Sequence, residues 1–167
     1  MIDVKKVIGI GKQSFEDIIQ SNCFYIDKTS LIKEWWESED DITLITRPRR
    51  FGKTLNMDML KCFFSNQYRD QGQLFEGLNI WKEEKYQQLQ GTYPVIYLSF
   101  ADVKQDCYGD TVQKIRHIIG DTYRQHRYLL DALCFTEAEK HQFTKVMNCE
   151  MDDVTAQDAL KNLSYYL

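Results

Sequence analysis

The sequence predicts an α/β fold: an incomplete parallel sheet in the early part of the chain and a largely helical C-terminal third. Three observations predict it. The uncharged, β-branched run Ile42-Thr43-Leu44-Ile45-Thr46 reads as a strand buried in a parallel sheet. Arg47-Pro48-Arg49-Arg50-Phe51-Gly52-Lys53-Thr54 follows it, and Leu55, Met59, Leu60, Phe63 and Phe64 then recur at the three- and four-residue spacings of a helix beginning near Gly52. From Tyr108 onward the pattern is helical, with Val112, Ile115, Ile118 and Ile119 on one face, then Phe143, Val146 and Met147, then Leu160, Leu163 and Tyr166-Leu167.

Taken in order, a first short helix is expected over Ser14-Phe15-Glu16-Asp17-Ile18-Ile19-Gln20. Ser14 can cap it, and Asp17 stands three residues on in the manner of a capping box. A second helix follows Tyr25-Ile26-Asp27, capped by Thr29 or Ser30, with Leu31, Ile32, Trp35 and Trp36 on its apolar face. Next come the Ile42–Thr46 strand, the Gly-Lys-Thr loop and its helix. A second central strand is expected at Val95-Ile96-Tyr97-Leu98-Ser99-Phe100. Pro48 and Pro94 each stand at the edge of a strand pattern, and no repeat or low-complexity tract interrupts the chain. Only two strands are expected, so at least one sheet edge would lack a neighbour, which invites self-association.

Gly-Lys-Thr between a strand and a helix is the combination that a nucleotide triphosphate requires. Glycine lets the backbone approach, the helix N-terminus offers unpaired N–H groups, lysine reaches the β/γ phosphates, and a hydroxyl can sit on Mg²⁺. The general pattern opens with glycine four residues before Gly-Lys-[ST], where this chain has Arg47. Lys53 is thus expected on the phosphates and Thr54 on Mg²⁺, with Gly52 and the backbone of Arg50 and Phe51 forming the anion cradle. Arg49 and Arg50 are candidates for charge stabilisation of the phosphates, and solvated surface charge is the equal alternative. Arg47, Asp27 and Lys28 are weaker candidates for nucleotide contact, while Thr29 is expected as a cap. Asp102, after the apolar run, has no glutamate beside it and reads as a turn residue.

The segments Tyr25-Ile26-Asp27-Lys28-Thr29, Ile45 to Leu60, Leu74-Phe75-Glu76-Gly77-Leu78 and Tyr93-Pro94-Val95-Ile96-Tyr97-Leu98-Ser99-Phe100 resemble successive signatures of the bacterial AAA-ATPase-like proteins. The resemblance extends over nearly the whole chain, and in that family arginine ordinarily takes the place of the first loop glycine. It implies a P-loop NTPase-like fold, a variant Walker A loop, and ATP with Mg as ligands. It also implies that residues 1–167 are the N-terminal portion of a single domain, 1–105 the loop-bearing part and 106–167 the helical part. Relatives usually continue into a Walker B strand ending in Asp-Glu, and many then carry a nuclease-like domain of the PD-(D/E)XK type. Neither is visible here, so hydrolysis is not expected of this stretch by itself, and the missing nuclease-like domain is one route by which relatives would meet nucleic acid.

Composition bounds the remaining classes. At 167 residues with 43% hydrophobic content the chain can bury a core. No apolar run approaches the roughly 20 residues that span a bilayer, and the N-terminus has no signal-peptide core, so a cytoplasmic protein without membrane partners is expected. Cys23, Cys62, Cys107, Cys134 and Cys149 are widely spaced with no Cys-x-x-Cys pair, which suits reduced thiols. His117, His126 and His141 lack a metal-ligand spacing. A net charge of −4 argues against general nucleic-acid binding, although Arg47, Arg49, Arg50 and Lys53 concentrate four cations within seven residues. Besides nucleotide binding, two other classes stay open: a non-hydrolysing regulatory module, and a nucleic-acid-associated protein that uses this basic loop.

Overall fold

A computed structural model describes residues 6–48, 50–131 and 135–167. Among them no β-strand or sheet forms, and about 58% of the residues are helical. This overturns the expected α/β class with its P-loop NTPase-like parallel sheet. Two isolated parallel bridges, Val7 with Cys23 and Ser65 with Tyr93, are the pairings that stand outside helices. Ile42–Thr46 is irregular and mostly exposed, with Ile42 at 90% and Leu44 at 82% exposure. Val95–Phe100 is likewise no strand, though half-buried over much of its length. The physical reason is that a strand exists only when a neighbour takes up its N–H and C=O groups. Apolar runs state a demand for burial without naming that neighbour, and the described chain gives neither segment one. The sheet edge expected to drive self-association is absent with the sheet.

The chain divides into two compact units, the boundary falling between Val95 and Ile96. The first holds α1 (Phe15–Gln20), α2 (Ser30–Ser38), α3 (Lys53–Phe64) and α4 (Glu84–Leu89), with 3₁₀ turns at Asn66–Tyr68, Gly72–Phe75 and Asn79–Lys82. Ser14 caps α1 by accepting from Asp17 N at 3.2 Å. The core is aromatic: Phe15 stacks on Phe75 at 5.2 Å, Phe63 meets Phe75 edge-on at 5.1 Å, and Trp36 stacks on Phe64 at 5.6 Å. Each such pair adds roughly 0.5–1.5 kcal/mol to its area burial. The buried Asp58 on α3 accepts from Phe15 N at 2.7 Å and from Lys61 Nζ at 2.5 Å. One carboxylate thereby satisfies the first amide of α1 and fixes that helix on α3.

The second unit holds α5 (Tyr108–Gln125), α6 (Glu137–Met147) and α7 (Asp153–Tyr166), with a 3₁₀ turn at Arg127–Asp131. Thr136 and Glu139 form a capping box on α6, and Asp152 caps α7 by accepting from Thr155 N at 2.7 Å. Tyr123 and Phe143 pack at 4.6 Å, and the Tyr123 hydroxyl donates to Ala159 O at 2.6 Å, which satisfies the polar tip inside the core. Among the described residues no helix is long and apolar enough to cross a membrane.

Candidate functional site

Gly52 is the N-cap of α3 in the left-handed region, φ 75°, and Arg50 two residues earlier is also left-handed, φ 70°. Two such residues around Phe51 turn the chain sharply into the helix. The first helical hydrogen bond here is Asn56 N to Gly52 O at 2.9 Å. Among the described residues no backbone amide from Arg50 to Leu55 donates to a protein acceptor, as the geometry of a helix start requires. These N–H groups and the positive end of a 12-residue helix form an anion site in waiting. Lys53 folds back over the loop: its Nζ donates to Arg47 O and, at 3.0 Å, to Pro48 O. The ammonium is therefore held at the concave side by carbonyls that a more anionic partner can replace.

A cavity of about 1060 Å³ opens beside this loop. That is at the upper end of the ~300–1,000 Å³ range of small-molecule sites. Its lining combines the cations Lys12, Lys28, Arg50 and Lys53 and the Thr54 hydroxyl with the apolar Ile8, Ile10, Phe24, Ile26 and Phe51. No carboxylate lines it among the described residues. Lys28 Nζ lies 3.6 Å from where a Cβ on Gly52 would stand, so a second ammonium reaches the loop through the space that glycine leaves. Phe24 and Phe51, 56% and 60% exposed, offer flat apolar faces to a ring.

The expected site residues separate. Arg50, Phe51, Gly52, Lys53, Thr54 and Lys28 line one cavity, Arg47 takes part through its carbonyl, and Arg49 lies outside the described residues. Asp27 points elsewhere. Its Oδ1 accepts from Thr29 N at 2.8 Å and Thr29 Oγ1 at 2.7 Å, and its Oδ2 accepts from Asn79 N at 2.7 Å. Thr29 makes no side-chain cap on α2. Its hydroxyl accepts from Ile80 N at 3.1 Å instead. Together they clasp the 3₁₀ turn at Asn79–Lys82 and fix the backbone that carries Lys28.

Partial burial opposes ionisation of Asp27, but the bonds from Thr29 and Asn79, helped by Lys82, outweigh it and hold the carboxyl below its ordinary value of 3.8. A depressed folded-state pKa contributes stability that is present above the unfolded value and is lost as pH falls through the folded one. Asp27→Asn should accordingly cost about 1–2 kcal/mol at neutral pH. Denaturant melts should show the gap to the unsubstituted protein closing as pH drops below 3.8. A gap that is constant with pH would assign the loss to shape rather than charge.

Sequence reasoning missed the N-terminal side of the cavity. Phe24 N donates to Val7 O at 2.9 Å and Lys12 Nζ to Ser21 Oγ at 2.7 Å, which lays residues 7–12 along the cavity. The available signals were Gly9 and Gly11 around Ile10, and three consecutive apolar residues, Phe24-Tyr25-Ile26, outside any helix.

The cationic groups, the unpaired amides and the apolar wall fit a nucleoside triphosphate. For magnesium the loop offers the Thr54 hydroxyl, and among the described residues no three His, Cys, Asp or Glu side chains gather around one point. A family model described as Predicted AAA-ATPase matches residues 9–161. Neither the curated proteins nor the solved structures give a match.

Proposed function

We propose, from the premise that this chain belongs to the AAA-ATPase-like family, that it binds ATP at the loop from Arg47 to Thr54. The observation that carries this is the meeting of unpaired α3 amides with Lys28, Arg50 and Lys53 at a cavity that apolar side chains also line. Phosphates at the loop take the amides that the helix leaves unpaired. Lys53 exchanges the carbonyls of Arg47 and Pro48 for phosphate oxygens, a charge-assisted contact in place of a charge–dipole one. The base and ribose lie toward Ile8, Ile10, Phe24 and Phe51. Magnesium, when bound, would neutralise phosphate charge, and the Thr54 hydroxyl would be a protein ligand for it. The proposal is binding and not turnover, because no lining carboxylate is placed to orient water.

Calorimetric titration tests this. Mg-ATP should bind saturably, and more weakly at high salt. Thr54→Ala should weaken Mg-ATP by about tenfold, the worth of one or two hydrogen bonds, and leave Mg-free ATP little changed. Absence of saturable binding at millimolar Mg-ATP would sink the proposal.

A further inference from the structure

Cys149 occupies an unusual backbone position in the second unit. It follows α6 and Asn148 with φ 62°, and its amide donates to Val146 O at 3.0 Å while Glu150 N donates to Lys145 O at 2.9 Å. These two bonds define the left-handed helix ending in which glycine is the usual occupant, since a side chain there is strained. A cysteine is held in that place, and its sulphur is lodged against α5 where a residue larger than Gly120 could not stand: a Cβ on Gly120 would lie 2.6 Å from Sγ.

What the sulphur meets there is an imidazole nitrogen and a backbone carbonyl. Cys149 Sγ lies 3.5 Å from His117 Nδ1 and 3.8 Å from Arg116 O. His117 is exposed and Cys149 is half-buried. Beside them the Arg124 guanidinium is anchored by Asp121 through Nε at 3.1 Å and by Met147 O. A thiol with an imidazole at its proton and a guanidinium nearby is the arrangement that raises nucleophilicity. The other thiols among the described residues lack it. Cys23 and Cys62 are buried, and burial, with the Asp58 charge behind it, pushes Cys62 up to about 12. Cys107 is exposed but has only the Asp110 amide at its sulphur.

We infer that Cys149 and His117 form a modification site at which the thiol exchanges with small disulfides. With its own proton on Nε2, His117 takes the thiol proton at Nδ1. Cys149 Sγ attacks one sulphur of the disulfide, a new S–S bond forms as the old one breaks, and the departing thiolate collects the proton from His117. Cys149 is oxidised to a mixed disulfide and one thiol of the reagent leaves reduced. The site is independent of the nucleotide reading.

Glutathione disulfide is the probe, with site-resolved mass spectrometry after digestion. Cys149 should acquire glutathione while Cys62 stays free. His117→Ala should slow the reaction at Cys149 by about tenfold, the lower range of what a positioned base supplies, and leave the Cys107 rate unchanged. His117→Gln, which keeps the side-chain size, should slow it equally and guards against a local packing effect. Cys149 remaining reduced while Cys107 reacts, or reacting in both His117 variants as fast as in the unsubstituted protein, overturns the inference.

Discussion

Lys53→Ala is expected to weaken Mg-ATP binding by roughly 10- to 100-fold, with little change in Tm. The size follows from the charge-assisted bonds that one ammonium makes to phosphate, about 1.5–3 kcal/mol against solvent. The small effect on stability follows from where Nζ sits without ligand: its acceptors, Arg47 O and Pro48 O, are on an exposed loop, where water can replace it. Calorimetry with Mg-ATP gives the affinity, and a thermal melt gives the stability. Unchanged affinity would mean that the loop is a surface turn with solvated cations. Lys28→Ala in the same titration resolves the second ammonium: loss at Lys53 without loss at Lys28 would leave phosphates on the α3 side of Gly52 alone.

The helices were legible because their signals are local. Ser14 and Asp17 stand three residues apart, and the apolar stripe of α3 needs only its own twelve residues, so the pattern and the structure share a length scale. The strands failed because pairing is not local. Ile42–Thr46 has the composition of a buried strand, yet its fixed contact is Trp35 Nε1 donating to Thr43 Oγ1 at 3.1 Å, from α2 and not from a neighbouring strand. The same division holds at the site. Residues 50–54 could be grouped from the sequence because they are adjacent, and the structure puts all five on the lining of one cavity. The engagement of Asp27 with Asn79 could not be read from the sequence, because the amide it accepts is 52 residues away. The segment from Ile8 to Lys12 was invisible for the same reason: it is placed by the pairing of Val7 with Cys23 and Phe24 and by the bond from Lys12 to Ser21.

Gly91→Ala should be the most damaging single substitution in the first unit, at about 3–5 kcal/mol. Gly91 lies two residues past α4, with φ 68°, and its amide donates to Phe63 O at 2.8 Å. Tyr93 N donates to Phe64 O at 2.9 Å, and Asn66 N to Tyr93 O at 2.7 Å. This crossing takes up carbonyls that the C-terminus of α3 would otherwise leave unpaired. An alanine Cβ would lie 2.9 Å from Arg69 N and closer still to Arg69 Cα, so the clash is with backbone and cannot be relieved by a rotamer. Relief requires moving Gly91 away from Phe63 O or Arg69 away from the 3₁₀ turn before it, and either move breaks the crossing. Left-handed strain alone costs about 1–2 kcal/mol. Gly77→Ala isolates that share, because Gly77 has φ 79° with nothing within 4 Å of the added carbon. A fall in Tm of more than about 12 °C for Gly91→Ala, against less than half of that for Gly77→Ala, is the expected pair of results. Equal losses would show that strain, and not the contact with Arg69, sets the cost. Because α3 carries Lys53 at one end and Phe63 and Phe64 at the other, the crossing at Gly91 anchors the helix whose first turn presents the unpaired amides.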